Sequence, residues 1–192
     1  MKKLIALVLS LVFVLTLAGC GKTVMPGHGD SPKIIDGLET TVSYANWSDD
    51  FTFLGLNADK MYISSVQHLP IYKLDTKQDL ERFKQSLGEV LSMDQSYDEI
   101  PSFNDATAKY DNTFFDTNTL LVVYVPANSG SLRFGVGSVY CDAESVYVCV
   151  KQLNNPEVVT EDMAGWFLTV VIQDSAIIDC KSFDAYLDNA GN

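Results

Sequence analysis

The first nineteen residues of this chain stand apart from whatever the rest folds into. Lys2 and Lys3 open it, an apolar run follows from Leu4 to Ala18, and Leu17-Ala18-Gly19 leads directly into Cys20. A charged start, an apolar middle and small residues before a processing point are the parts of a secretory signal, in the required order. As a helix the apolar run spans roughly 22 Å at about 1.5 Å per residue, short of the ~30 Å hydrocarbon core of a bilayer. Residues 1–19 are therefore read as a cleaved signal peptide. About 170 residues remain, enough for one domain with a core of its own.

Leu17-Ala18-Gly19-Cys20 resembles the lipobox of bacterial lipoproteins. The resemblance implies cleavage before Cys20, a thioether-linked diacylglyceryl group on its sulfur, and placement on the extracytoplasmic face of the cell membrane. Two acyl chains anchor a protein stably where one binds only marginally. The competing readings are an ordinary cleaved signal with a chance cysteine, and an uncleaved anchor. From Gly21 to Asp36 glycine and proline dominate without an apolar period, so residues 20–36 read as a lipidated flexible tether. Residues 37–192 are expected to form a single domain, whose strands start near Ile34.

The formal net charge is −12, and the signal segment removes two lysines but no acid. So acidic a surface repels phosphate backbones and anionic headgroups, which disfavours nucleic acid as a partner and leaves membrane attachment to the lipid on Cys20. With Cys20 consumed, Cys141, Cys149 and Cys180 remain. At most one intrachain pair can form, and Cys180 could take either of the others. None lies in a CxxC pair, so neither a redox motif nor a zinc knuckle is indicated.

Thr40–Trp47, Phe51–Leu56 and Met61–Gln67 are rich in β-branched and aromatic residues and are separated by Ser48-Asp49-Asp50 and Asn57-Ala58-Asp59, so they read as strands between turns. Leu80, Phe83, Leu87 and Leu91 recur at helical spacing behind an N-cap at Asp75 or Thr76, with Asp79 three residues on. A short helix is expected within Ala106–Phe115. Thr119–Val125 is a strand apolar on both faces, and Trp166–Ile172 a central one by its continuous apolar run. Ser175–Leu187 closes the domain as a strand or short helix.

Leu132–Cys141 and Ser145–Gln152 flank Asp142-Ala143-Glu144 and read as a hairpin. A two-residue turn at Ala143-Glu144 sets Cys141 opposite Val146 and Val139 opposite Val148, with Val150 on the same apolar face. Tyr140, Tyr147, Cys149 and Lys151 share the other, wetter face, so Cys149 is the thiol expected to meet a reagent first. Strands, a helix and then a mainly antiparallel sheet make the expected class α+β, with one main amphipathic helix packed on the sheet.

Sites of catalysis are scarce. His28 lies in the tether, so an imidazole mechanism within the domain must use His68, beside Pro70, where a surface role is the plainer reading. Neither a nucleophile elbow, a zinc-helix motif nor a phosphate loop is present. Asp49-Asp50 and Glu161-Asp162 are paired carboxylates, but neighbours on a strand point to opposite faces, which weakens them as calcium ligands or an acid/base pair. No metal or cofactor is called for. Ser129, Gly130, Ser131 and Arg133 offer hydroxyls, backbone N–H groups and one of two arginines in a single turn, a candidate carboxylate site. The plainer reading is a tight turn whose arginine satisfies local acids.

A capped helix, the strand Leu120-Leu-Val-Val-Tyr-Val, Ser129-Gly130-Ser131, a Val-rich hairpin, and an apolar strand after Asp162-Met-Ala-Gly-Trp166 together resemble the C-terminal domain of PrcB-type protease-complex subunits, across roughly Ile71 to Ile172. Where that pattern has a second glycine after Ser-Gly, this chain has Ser131. The resemblance implies a noncatalytic accessory domain that works through a protein partner, in some members a protease, and it supplies no catalytic residue. The alternative is an envelope peptide- or glycan-binding module, with Tyr44, Trp47, Phe51 and Phe53 as a stacking surface or, more plainly, as core.

Overall fold

Alternate residues of two long strands face two different cores, and that alternation organises the domain. The computed structural model describes residues 33–47, 62–63, 66–142, 144–160, 162 and 164–188. Strand β1 is Lys33–Ile34, β2 Glu39–Trp47, β3 Tyr62–Ile63, β4 Val66–Leu69, β5 Ile71–Leu74 and β6 Leu91–Ser92. Strand β7 is Asn118–Ala127, β8 Phe134–Cys141, β9 Ser145–Gln152, β10 Ala164–Gln173 and β11 Ser182–Asp188. Two helices, α1 Lys77–Gly88 and α2 Phe103–Thr107, lie between β5 and β7.

The strands form two sheets, one in the order β5-β7-β10-β2-β6 and one in the order β1-β8-β9-β11-β4-β3. Among the described residues every pairing between these strands is antiparallel except β9 with β11. In the first sheet, Leu121, Val123 and Val125 of β7 and Trp166, Leu168, Val170 and Ile172 of β10 point into the core shared with the second sheet, against Val139, Val146, Val148 and Val150. Leu120, Val122 and Tyr124, with Phe167, point the other way, onto Leu80, Phe83 and Leu87 of α1 and Phe103 of α2. An apolar run without alternation is what a strand covered on both faces requires. Pro70, lacking an N–H, stands between β4 in one sheet and β5 in the other, and its carbonyl accepts from Tyr124 N–H at 2.9 Å.

Thr76 caps α1: its backbone is extended, and its Oγ1 accepts from Asp79 N–H at 3.0 Å while donating to Asp79 Oδ2 at 2.7 Å. The second helix starts earlier than the expected Ala106, because Ser102 takes the cap and its Oγ accepts from Asp105 N–H at 3.1 Å. Phe114–Asp116 is a separate 3-10 turn. Ser175–Leu187 divides into a 3-10 turn, Asp174–Ala176, and β11.

The hairpin keeps the expected register, Cys141 opposite Val146 and Val139 opposite Val148. Asp142 Oδ1 accepts from the N–H groups of Glu144 and Ser145 at 3.0 and 2.9 Å, closing the turn. The register shifts between Val136 and Ser138, so Gly137 is a bulge; a Cβ there would lie 2.8 Å from Lys151 Cδ. One expectation fails. Cys149 is 1 % exposed, while Cys141 is only half-buried. Parity assigned Cys149 its face correctly, but β9 lies inside the sheet, where Cys149 is set between Ser138 of β8 and Tyr186 of β11. The edge strand β1, paired with Tyr140 and Cys141, comes from the last residues of the expected tether.

Candidate functional site

The turn after β7 binds a carboxylate, and the carboxylate is the chain's own. Gly130 N–H donates to the Asp162 carbonyl at 3.0 Å and to Asp162 Oδ1 at 3.1 Å. The buried Ser129 hydroxyl lies 2.7 Å from Ser131 Oγ and 2.8 Å from Thr160 Oγ1, and accepts from Ser131 N–H at 3.2 Å. Asn154 closes the other side, donating to the Ser131 carbonyl and accepting from Arg133 N–H, both at 2.8 Å. The β7–β8 turn and the β9–β10 loop are thereby bonded to each other along their lengths.

Arg133 is equally committed. Its Nη1 donates to the carbonyls of Gly130 and Leu132, and its Nη2 to Asp98 Oδ2 at 3.2 Å. The guanidinium lies 5.3 Å from the Tyr97 ring centroid and 5.1 Å from that of Trp166, within cation–π range. Asp98 has φ +52°, a left-handed conformation that aspartate tolerates better than most residues. Tyr97 and Ile100 exchange backbone hydrogen bonds across this turn at 3.0 and 2.9 Å. Tyr97 also donates to Asp162 Oδ2 at 3.4 Å. Burial and the carboxylates of Asp162 and Asp98 push the Tyr97 hydroxyl up, with Arg133 opposing. Hydrogen bonds from Thr160 and then Gly130 hold the Asp162 carboxyl below the usual range.

Of the sequence candidates, then, Ser129, Gly130, Ser131 and Arg133 come together, with their donors already engaged. Sequence reasoning missed Tyr97, Asp98, Asn154 and the role of Asp162. Their contacts span up to 65 residues, and no periodicity marks them. Tyr44 is buried against the rings of Tyr97 and Trp166, at 5.0 and 5.3 Å between centroids, so it is core and not a stacking surface. Cys20, Asp49, Asp50, Phe51–Leu56 and the Trp47 side chain lie outside the described residues. His68 sits on β4 opposite Tyr186, exposed, and no hydrogen bond among the described residues joins it to the turn.

Two further surface features stand out. On the β9–β10 loop Leu153, Val158 and Val159 are 65, 82 and 51 % exposed. At the C-terminal end of α1 an open depression of about 490 Å³ is lined by Lys84, Glu89, Ser92, Asp94 and Asn104 among others. Burial lowers the Lys84 pKa, with Glu81 opposing. Asn104 donates to Asp94 Oδ1 at 2.7 Å, while its own Oδ1 is buried without a partner among the described residues. Among the described residues no three His, Cys, Asp or Glu side chains gather as a metal site, and no helix is long and apolar enough to cross a membrane.

No family model, curated protein or solved structure matches this chain.

Proposed function

We propose that this protein is a lipid-anchored, extracytoplasmic accessory domain that acts through protein contacts and carries out no catalysis of its own. The observation that carries the reading is the β9–β10 loop. Single exposed apolar residues are ordinary, but three large ones on one loop are a concentration that a binding partner would cover. The loop is also held from behind, by Asn154, Thr160 and Asp162 bonded into the Ser129–Arg133 turn, so it loses little freedom on docking. The resemblance to PrcB-type subunits makes a membrane-associated protease, or an envelope complex containing one, the partner to look for. The committed Arg133 and Gly130 groups, and an exposed His68 that makes no hydrogen bond to the hydroxyl cluster among the described residues, fit a role without chemistry.

The test has two arms. A photo-crosslinking residue at position 158, in cells, is expected to give one discrete adduct that excess wild-type chain competes away and excess V158D/V159D chain, its denaturation midpoint unchanged, does not. Diffuse or absent adducts would sink the contact reading. Cys20→Ala is expected to stop lipidation and leave the protein uncleaved or released; unchanged membrane retention of a processed C20A protein at high salt would sink the anchor.

A second reading, an envelope peptide- or glycan-binding module, draws on the depression beside Lys84 and Asn104. Saturable peptide or glycan binding lost in N104A, with the β9–β10 loop intact, would favour it.

A further inference from the structure

The hairpin tip and the start of β11 are fastened together, and a thiol stands just outside the fastening on each side. The Glu144 carbonyl accepts from the N–H groups of Lys181 and Ser182 at 2.6 and 3.2 Å, and Lys181 Nζ meets Glu144 Oε1 at 2.8 Å. Ser145 and Ser182 share a hydrogen bond of 2.6 Å between their hydroxyls. Cys141 immediately precedes the turn residue Asp142, and Cys180 immediately precedes Lys181. Cys141 pairs with Val146, which in turn pairs with Phe183. Cys141, Cys180 and Phe183 all pack, half-buried, against the core between the sheets. Cys149 is three residues beyond Val146 on β9, an odd step, so its side chain leaves the opposite face of the sheet.

We infer that Cys141 and Cys180 are a dithiol pair that closes to a disulfide, with Cys149 left as a thiol. Of the two partners the sequence offers Cys180, the fold puts one on its own face and the other behind a sheet. Burial pushes the Cys180 thiol up, and so does the neighbouring Cys141 thiol. The Ile177–Lys181 connection carries exposed Ile178, Asp179 and Lys181, so the backbone adjustment that disulfide geometry demands falls on a surface loop.

Closure runs by thiol–disulfide exchange with a disulfide oxidant, a low-molecular-weight disulfide or an envelope oxidoreductase. One cysteine thiolate attacks a sulfur of the oxidant, forming a mixed disulfide and releasing one thiol. The second cysteine thiolate attacks the first cysteine's sulfur, forming the Cys141–Cys180 bond and releasing the oxidant's other sulfur as a thiol. The pair loses two electrons and two protons, and the oxidant gains them. The bond crosslinks a loop of about forty residues, from the hairpin to the last strand, which constrains the unfolded chain. In cells the oxidant comes from the extracytoplasmic placement proposed above, so this inference rests on that reading there.

The test separates the two. Purified full-length protein is reduced, freed of reductant and treated with oxidised glutathione, then alkylated and mapped by mass spectrometry without reduction. The expected product links the peptides of Cys141 and Cys180, the linked pair two mass units lighter than the two reduced peptides together, and shows Cys149 alkylated only after unfolding. C149S closes in the same way, while C141S and C180S each carry a glutathione adduct. Adducts on wild-type Cys141 or Cys180 in place of the bond, or a bond that includes Cys149, overturn the inference. The same mapping on acid-quenched cells follows the compartment. A chain that closes with glutathione but is reduced and soluble in cells supports the pair and overturns the placement. A membrane-anchored chain that fails to close with glutathione overturns the pair and leaves the placement standing.

Discussion

Gly130 and Asp162 meet where any other residue would intrude: a Cβ at position 130 would lie 2.3 Å from Asp162 Oδ2 and 2.6 Å from the Tyr97 hydroxyl. The glycine is needed for close approach, since the carboxylate is drawn onto its N–H. A turn with hydroxyls, open N–H groups and an arginine has the donors to hold an anion. Here the loop that returns to β10 supplies that anion, and Asp98 supplies the arginine's.

Gly130→Ala should therefore act through Asp162. Asp162 Oδ2 is the end of a side chain that can swing away, at the loss of the Gly130–Asp162 hydrogen bond and about 1–2 kcal/mol, whereas Tyr97, whose Cε2 also lies 2.9 Å from that Cβ, is a ring packed on Tyr44 and Trp166. In the Asp162→Ala background the same substitution should cost distinctly less. Urea denaturation of the four-protein cycle measures the coupling. Additive losses would mean that position 130 is strained by something other than Asp162.

The Asp162 carboxyl also sets a pH dependence. Its folded-state pKa lies below the unfolded value of about 3.9, chiefly through the Thr160 hydrogen bond, so the folded state favours the ionised form. That stability is complete above the unfolded value and is lost as pH falls through the lower folded one. Asp162→Asn is expected to lower the urea midpoint at about pH 6, and the gap from wild type should close toward about pH 2. Asp79 and Glu81 are held down in the same sense, so both proteins weaken in acid, and only the gap reports Asp162. A gap that widens in acid would refute the assignment.

What the sequence made legible follows from the range of each interaction. The β8–β9 register was readable because Asp142, the turn and the alternating valines lie within a dozen residues of one another. The strand Trp166–Ile172 was readable as central because its composition reports burial on both faces. The division into two sheets was not, since it turns on Val66–Leu74 changing sheets at Pro70. Nor was the burial of Cys149. Parity chooses a face, but the parallel pairing with β11 that covers its neighbourhood is made by residues 182–188, after an excursion through the other sheet. In the site, Ser129–Arg133 stood out by residue type. Asp98, Asn154 and Asp162, which decide what the turn can still bind, are ordinary polar residues until the fold brings them together.

The layer formed by α1 separates packing from capping. Leu80 is fully buried between the helix and the first sheet, so Leu80→Ala should cost about 2–5 kcal/mol, the range for removing a core leucine. Thr76→Ala removes the side-chain acceptor for Asp79 N–H and should cost about 1 kcal/mol. Denaturation midpoints of the two variants check both figures. A Leu80→Ala loss no larger than that of Thr76→Ala would mean that the helix is not seated on the sheet.

The noncatalytic reading is most exposed at His68, the one imidazole the domain offers. Its side chain is exposed on β4, and its strand is held to β11 by backbone pairing of Gln67, His68 and Leu69 with Leu187, Tyr186 and Ala185, which the side chain does not make. His68→Ala is therefore expected to stay within about 0.5 kcal/mol of wild type, as surface substitutions usually do. It should also complement a deletion strain at matched abundance. The two measurements divide the outcomes. Lost complementation with an unchanged midpoint would place His68 in a site of action and count against a purely accessory role. Loss of both would mean that β4 depends on this side chain, contrary to the pairing that holds it. Retained complementation would exclude imidazole acid–base chemistry from the domain, as action by protein contact through the Leu153–Val159 loop requires.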